Sequence, residues 1–599
     1  MGRFSTIFFT KNNQLLLLVL ITIGLNFNTL FNAYALDDGV VMTENTVVEK
    51  GIYGIPEILT KDLFYGFDKT SGDLSEARYR PFSLIIFAIE HQFFGENPMI
   101  SHFVNVLLFS LLIILLHKLL HDYIFRNQTY ILSFVTCLLF AVHPIHTEVI
   151  ANVKSRDEII AFVFLISLLL MFFKYADNPK KIYLVLGSIF FFLALLTRES
   201  SITFIAVVPL CLFFFSNKSI PQGVLQSVPL IILLIFYLYL RNLIIANAQA
   251  TATISSTNVM NAPFLLATNM EGFATKIFIL LKYLGLLFFP HPLSFDYGYN
   301  QIPYITTTSF KFVISAFVIV SLISLALLLI KKKSIYSFSI LYFFITISIV
   351  SNFVVDVGTP LSERFLFQPS LAFCIIVAAL FNHFQAKSKL VFNGALVIIL
   401  ILFSTKTITR NAVWKNNETL ALTDVKSSTN SERTNHYAME LYILKANAAS
   451  DLKIRNEYIQ KSINHGERTL SIYPDNPNVI MELGIAYYSL GQYFKTADLW
   501  NKNKKFIPNN PKEIYWFEFL SDVLYKLGNG FLETGNAEEA TKCFKSSVEL
   551  NSNNIEALYN LGGTYLIKKD TIEFSKAWEL VKKMSPKHAF KKETFLKSN

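Results

Sequence analysis

Two adjacent carboxylates, Asp37 and Asp38, stand just after an apolar run that ends near residue 32. Like charges side by side raise each other's pKa. A carboxylate so placed is suited to take a proton from a hydroxyl, although the pair also reads as the ordinary polar end of a helix. A second stretch with chemical content runs His143-Pro144-Ile145-His146-Thr147-Glu148-Val149-Ile150-Ala151-Asn152-Val153-Lys154-Ser155-Arg156-Asp157-Glu158. Two histidines three apart with a nearby glutamate have the donor types of a metal site. However, the stretch is a short external loop between two spans, with Pro144 breaking the helix, which favours a structured loop over a metal site. Lys154 and Arg156 are cations where a phosphate head group would lie. Further polar groups are Asp68, Asp73, Glu76, Arg78 and Arg80-Pro81, then Arg198-Glu199-Ser200-Ser201 and Arg241-Asn242. Later come Pro290-His291-Pro292-Leu293-Ser294-Phe295-Asp296-Tyr297, Asp356 and Glu363-Arg364. Charges at membrane depth are expensive and default to functional candidates, with ion pairs between helices as the other outlet.

The elements that must position these groups are apolar. Of 599 residues 53% are hydrophobic and 16% charged, against about 25% charged in a soluble domain. The mean hydropathy is +0.43. Disorder, a coiled coil and a purely soluble enzyme are excluded. A spanning helix needs roughly 20 mostly apolar residues. Eleven runs qualify, near 13–32, 98–120, 130–146, 157–175, 181–197, 201–216, 224–245, 310–330, 336–355, 364–383 and 389–406. A further run, 273–290, carries Lys276 and Lys282, follows Glu271, and ends at Pro290.

Charge sets the topology. With Arg3 and Lys11 cytoplasmic, the inside loops hold Lys118 and Arg126, then Lys174, Lys180 and Lys181, then Lys218. Later they hold Lys331, Lys332 and Lys333, then Lys387 and Lys389, which obeys the positive-inside rule. A crossing at 273–290 would invert the last two groups, so that run is expected to be re-entrant or interfacial. The carboxylate pair, the arginine clusters and the C-terminal region then share the external side, around an outwardly open polar cavity. Residues 1–36 also mimic a secretory leader, with Ala33-Tyr34-Ala35 as its processing site. Cleavage would leave Leu36-Asp37-Asp38 at the new terminus, but retention as a first helix is the expectation. The net charge of +10 is assigned to loop lysines, and no nucleic-acid module is present. Cys137, Cys211, Cys374 and Cys543 show no metal-ligand spacing and no disulfide pairing, so they read as small core hydrophobes.

Residues 407–599 are polar and helical in pattern. Gly484, Gly528 and Gly562 align, the last two 34 apart. Three positions on stand Tyr487, Phe531 and Tyr565, and sixteen on stand Trp500, Phe544 and Trp578. Twenty-four on stand Pro508, Ser552 and Pro586. Period and register match the tetratricopeptide repeat (TPR), with about ten residues inserted near 509–520 and a degenerate pair over 433–474. The organisation expected is a membrane domain over 1–406 with a first external loop over 33–97, a linker over 407–432, and a repeat domain over 433–599.

In order, these segments resemble the transmembrane and TPR-repeat-containing O-mannosyltransferase family of polytopic GT-C glycosyltransferases. The matching stretches are Asp37-Asp38 with Thr43-Glu44-Asn45, Tyr79-Arg80-Pro81, His102-Phe103-Val104-Asn105 and the run from His143 to Glu158. Downstream are Thr197-Arg198-Glu199, Leu293-Ser294-Phe295-Asp296-Tyr297, Ser362-Glu363-Arg364 with Gln368-Pro369-Ser370, and Arg410-Asn411 with Trp414. The family often has Lys-Glu where this chain has Arg198-Glu199. The resemblance implies an all-α membrane bundle of GT-C type with about eleven spans, followed by a TPR solenoid. It implies an enzyme that moves a sugar, mannose in the family, from a polyprenyl-phosphate donor to Ser or Thr hydroxyls of exported proteins, with inversion. Carried over by position, Asp37 would be the base and Asp38 its partner. Arg156 would hold the phosphate, with Arg80, Arg198 and Arg364 as further candidates, since arginine binds phosphate bidentately. His143, His146, Glu148, Asp296 and Glu363 complete the candidate site. No metal and no cofactor is expected. The partners implied are the lipid-linked donor, membrane lipids and an exported protein acceptor engaged by the repeats. The alternatives are sugar transfer to a glycan or lipid, a membrane-anchored repeat scaffold, and a transporter. A transporter should show repeats across the membrane halves, and none is visible.

Overall fold

The computed structural model describes residues 11–67, 78–126, 131–249, 259, 261–385, 388–507 and 510–586. Arg3, Asp68, Asp73, Glu76, Lys387 and Pro508 lie outside these. Among the described residues every regular element is a helix. The chain divides into two units, Met1–Ser428 and Thr429–Asn599.

The N-terminal unit is a polytopic membrane bundle. Among the described residues six of its helices are long and apolar enough to cross a bilayer: Lys11–Phe31, Pro98–Ile124, Arg156–Asp177, Val228–Ala246, Phe310–Lys332 and Lys389–Val413. Ile131–Val142 and Pro144–Ala151 pass the same test only as a pair bent by 53°. The bend falls at Pro144, which cannot donate to the preceding turn. Four shorter apolar helices, Lys181–Thr197, Glu199–Phe215, Ile335–Val350 and Ser370–Gln385, fall on the other four expected spans. The run 273–290 is also helical as far as Phe288, in helix Asn269–Phe288. Its first turn is closed by a capping box between Thr268 and Glu271, which meets otherwise orphaned backbone N–H groups.

Helix Arg156–Asp177 is the axis of this unit. Ile159, Phe162, Leu165, Ile166 and Leu168 on it are fully buried, and Pro98–Leu119 and Lys181–Thr197 pack along it. The outer helices show the reverse pattern: Ile232 and Ile235, Phe317 and Leu328, and Ile401 and Leu402 are all exposed. An apolar outer face is the surface a bilayer solvates. Cys137, Cys211 and Cys374 are buried free thiols.

The stretch expected to link the two domains is not a linker. Helix Lys389–Val413 continues through it, and helix Asn417–Ser427 follows within the same unit. Trp414 is 1% exposed and packs with Ala35, Ala151 and Leu420. Arg410 holds Asp424 through two hydrogen bonds, of 2.5 and 2.7 Å. The segment reads as polar because its charges are paired inside the fold. It also closes on the start of the unit. Ala33 N donates to Lys415 O at 2.8 Å, Leu36 N to Asn417 Oδ1 at 2.7 Å, and Asn411 Nδ2 to Leu25 O at 3.1 Å.

The C-terminal unit is built of consecutive helix pairs: Glu432–Ala448 with Leu452–Ile472, Pro477–Ser489 with Tyr493–Lys502, Pro511–Glu533 with Ala537–Leu550, and Ile555–Ile567 with Thr571–Met584. The repeat glycines sit where two helices meet. A Cβ on Gly484 would stand 2.1 Å from Trp500 Nε1, and one on Gly528 2.6 Å from Phe544. These are the aromatics sixteen positions on. Gly562 is different: its nearest neighbour is Ala577, at 3.7 Å. The insertion near 509–520 becomes the N-terminal part of the 23-residue helix Pro511–Glu533.

Candidate functional site

The first apolar helix runs into a short 3-10 turn, Phe27–Phe31, and the chain then reaches the aspartate pair. At Leu36 the backbone is left-handed, with φ +50°, a conformation sparse for branched side chains. The hydrogen bond of Leu36 N to Asn417 holds it there. The two aspartates then diverge. Asp38 is 0% exposed. Its Oδ2 accepts from Ala35 N at 2.9 Å and its Oδ1 from Lys154 N at 2.8 Å. Burial pushes its carboxyl up to about 7, against the lowering effect of those two N–H groups. Asp37 points outward with a side chain 46% exposed, and its Oδ2 lies 2.7 Å from Lys154 Nζ. Asp38 is thus a staple between the first turn and the segment before helix Arg156–Asp177, while Asp37 keeps an accessible carboxylate.

Beside them lies a cavity of about 590 Å³. Six cationic side chains line it, Arg78, Arg80, Lys154, Arg198, Arg241 and Arg364, against two carboxylates, Glu199 and Asp356. Ser155, Ser200, Tyr237 and Asn242 add polar edges. Ile202, Leu238, Ile245, Ile349, Val350, Val355, Val357 and Phe365 form an apolar wall. Arg80 is fixed by Asp157 at 2.8 Å and by Glu199, whose Oε2 accepts from Nε at 2.9 Å. Arg198 spans Asp157 and Glu158, each at 2.9 Å. Arg364 pairs with Glu148 at 3.0 Å, and its side chain is 24% exposed, the most open of these three. Buried charges held by partners on different helices are pre-oriented for an anion.

Arg156 is not part of this cavity. It is 0% exposed. Its guanidinium donates to Asn105 Oδ1 and Glu90 Oε2, each at 2.6 Å, and to Ser101 O at 2.8 Å, and it covers the Phe87 ring. Glu90 also accepts from the Ser101 hydroxyl. The residue read as the foremost phosphate ligand therefore ties the amphipathic helix Pro81–Phe94 to helix Pro98–Leu119.

The stretch His143–Glu158, read as a short external loop, is buried throughout. His143 Nε2 meets Leu287 O at 3.0 Å, and its Nδ1 accepts from Ile145 N. His146 meets Phe140 O and Ser370 Oγ, each at 2.8 Å. Both rings pack on phenylalanines: His143 on Phe403, and His146 on Phe140 and Phe367. With every ring nitrogen engaged by protein, they are core histidines. Glu148 anchors Arg364. Asp296 and Glu363 organise the 290–298 loop away from the cavity lining. Asp296 Oδ2 accepts from Gly298 N, and Glu363 Oε1 accepts from Ser294 N and the Tyr297 hydroxyl. Burial pushes Glu363 up to about 8. Arg78 and Arg241, named in the sequence only among the further polar groups, line the cavity, as does Tyr237, which had not been named. Tyr237 lies in the middle of the apolar run 224–245, where a tyrosine carries no signal of a site.

One group of histidine and carboxylates lies close enough to hold a metal ion among the described residues: His436, Glu440 and Glu482, in the C-terminal unit. His436 Nε2 stands 3.1 Å from Glu482 and 3.7 Å from Glu440, the geometry of a charge-assisted hydrogen bond.

No family model matches the chain. A protein O-mannosyl-transferase of Caenorhabditis elegans is 26% identical over 407 residues, spanning 67% of this chain and 56% of that protein. The human protein O-mannosyl-transferase TMTC1 is 26% identical over 494 residues, spanning 75% of this chain and 54% of its own. The mouse protein O-mannosyl-transferase TMTC3 is 22% identical over 647 residues, spanning 96% and 68%. The chain thus spans about half to two thirds of the length of these curated relatives. Among solved structures it is similar to an apo oligosaccharyltransferase of Archaeoglobus fulgidus. The TM-score is 0.36 and the identity 13%, over 81% of this chain and 70% of that one, a likeness too distant for residue-level comparison. The homologues are named as TMTC-family protein O-mannosyl-transferases, the family that the ordered motifs resemble.

Proposed function

We propose that the protein transfers mannose from a polyprenyl-phosphate donor to Ser or Thr hydroxyls of exported proteins, with inversion at the anomeric carbon. The observation that carries this reading is the cavity: six cations against two carboxylates, together with eight apolar side chains, share its lining, beside an accessible carboxylate. An amphiphile with an anionic head and a hydrocarbon tail is the ligand chemistry such a lining fits. The names of the relatives supply the sugar and the class of acceptor.

In the step proposed, Asp37 accepts the proton as the acceptor O–H bond breaks. The new bond forms between the hydroxyl oxygen and the anomeric carbon. The bond from that carbon to the phosphate oxygen breaks, and its electron pair leaves with the phosphate. Arg364, Arg80 and Arg198 stabilise the charge that grows on that oxygen. They are held by carboxylates before substrate arrives, so little reorganisation is needed during reaction. The membrane orientation that suits this chemistry has the N-terminus in the cytoplasm, with the cavity and the C-terminal unit outside. The repeats present the acceptor polypeptide.

The test is transfer by the purified full chain, supplied with polyprenyl-phosphate mannose and a pool of exported-protein peptides, with product masses read out. Hexose on Ser or Thr, lost in Asp37→Asn, is the expected result. Transfer undiminished in Asp37→Asn overturns the base. Transfer only to lipid or glycan acceptors overturns the acceptor class.

A further inference from the structure

Helix Val228–Gln249 contributes Tyr237, Leu238, Arg241, Asn242 and Ile245 to the cavity lining. Their spacing of three and four puts them on one face of the helix. The opposite face carries Ile232, Tyr239 and Leu243, all exposed, as a bilayer requires. This helix is therefore the wall between the cavity and the lipid. Arg241 stands five residues before the end of its apolar segment, Val228–Ala246. That is about 7.5 Å along the axis, close to the depth of the polar headgroups.

The other charges of the lining are already balanced within the protein. Arg80 and Arg198 together face three carboxylates, Asp157, Glu158 and Glu199. Arg364 pairs with Glu148, Lys154 with Asp37, and Asp356 with Lys276. Arg78 is engaged as well. Arg241 is half-buried, and among the described residues it has no hydrogen bond and no ion pair. A charge at membrane depth is costly and calls for a partner. An arginine shared between carboxylates offers an anion direction but little net attraction, whereas an unshared one offers a full positive charge. Resting on the functional reading above, we propose that Arg241 captures the phosphate of the polyprenyl donor as it leaves the bilayer, ahead of the clamped arginines that act on the leaving group. The guanidinium fork matches two phosphate oxygens. Leu238 and Ile245, on the same face, offer the first isoprene units an apolar surface.

The test titrates the full-length protein, in nanodiscs of zwitterionic lipid, with polyprenyl phosphate. Polyprenol, inorganic phosphate and phosphatidylglycerol form separate arms, and transfer kinetics with polyprenyl-phosphate mannose run alongside. Arg241→Met strands no carboxylate, so its unfolding midpoint should match wild type. In this variant the affinity for polyprenyl phosphate and the KM for donor are each expected to weaken about tenfold or more, the loss of one hydrogen-bonded charge contact. The fall in kcat should be smaller than the rise in KM. Arg241→Lys recovers part of the affinity, by charge without the fork. Unchanged affinity in Arg241→Met overturns the capture site. A lower kcat with KM unmoved also overturns it, because Arg241 then acts only in the chemical step. Binding of polyprenol, inorganic phosphate or phosphatidylglycerol as tight as that of polyprenyl phosphate overturns the ligand class. A wild type that binds polyprenyl phosphate through Arg241 yet transfers no sugar supports the capture site and overturns the transferase reading.

Discussion

Replacing Asp38 by alanine removes an acceptor and leaves two donors behind. Both carboxylate oxygens are engaged by main-chain N–H groups, of Ala35 at 2.9 Å and Lys154 at 2.8 Å, and the residue is 0% exposed. Each buried N–H left without a partner costs about 1–3 kcal/mol, so the two together cost about 2–6 kcal/mol. Asn at the same position keeps one acceptor oxygen and turns an NH₂ against the other N–H, so about half of that loss is expected. Asp37→Asn is different. The side chain is nearly half exposed, and an asparagine oxygen still accepts from Lys154, so the cost is about 0–1 kcal/mol. Its effect belongs to the rate, where loss of a general base is expected to cost about 100-fold or more. The assay pairs thermal unfolding of the four proteins in detergent, at one fixed scan rate, with sugar transfer. The expected order of stability is wild type, Asp37→Asn, Asp38→Asn, Asp38→Ala, with Asp37→Asn stable but inactive. An Asp38→Ala protein as stable as wild type would refute the reasoning, as would an Asp37→Asn protein destabilised to the same degree.

Gly484→Ala is expected to destabilise the C-terminal unit by about 1–3 kcal/mol through overpacking. The new Cβ meets Trp500 Nε1 at 2.1 Å, and that nitrogen is tied to Ile480 O. Gly562→Ala meets nothing closer than 3.7 Å and should be neutral or gain up to about 1 kcal/mol from helix propensity; urea unfolding followed by tryptophan fluorescence separates the two. Arg156→Met leaves Glu90 buried without its cation and is expected to cost about 3–5 kcal/mol, read as lost yield of folded protein. Arg364→Met would likewise strip buried Glu148 of its cation, so the informative variant is Arg364→Lys, which keeps the charge but not the bidentate fork and is expected to raise the KM for donor. At His436, burial lowers the pKa, but the hydrogen bond to Glu482 and the charges of Glu440 and Glu432 outweigh it, and the net shift is upward. Its contribution to stability is full below the unfolded value of about 6.5 and is lost as pH rises through the raised folded pKa. His436→Gln should flatten the pH dependence of unfolding midpoints in that window, and an unchanged slope would count against the pairing.

The positions of the apolar helices were legible because twenty apolar residues in a row have few other fates. The repeat was legible because helix pairs that pack alike need a small residue and an aromatic at fixed spacing. Partners were not legible. Arg156 and Arg198 look alike in sequence, both cations among acids at helix ends. What separates them is Glu90, 66 positions before Arg156 and folded against it. His143 and His146 have metal-ligand spacing, yet backbone carbonyls and Ser370, 224 positions away, meet their nitrogens. Residues 407–432 looked like a linker because a buried ion pair such as Arg410 with Asp424 carries the composition of exposed chain. Asp37 and Asp38 were singled out together, but their opposite orientations depend on the left-handed Leu36, which no residue type announces.

The clasp between the first turn and residues 411–417 also dictates when the site can exist during synthesis. Leu36 and its partner Asn417 are 381 positions apart. At roughly 5–20 residues per second, the ribosome delivers Asn417 roughly 20–80 s after Leu36. Until then the backbone that holds the aspartates lacks the partner that fixes it. The aspartate turn therefore stays unclasped while the membrane half is being inserted. Proteins arrested before residue 411 should accumulate in the membrane with their helices in place and without an assembled aspartate turn.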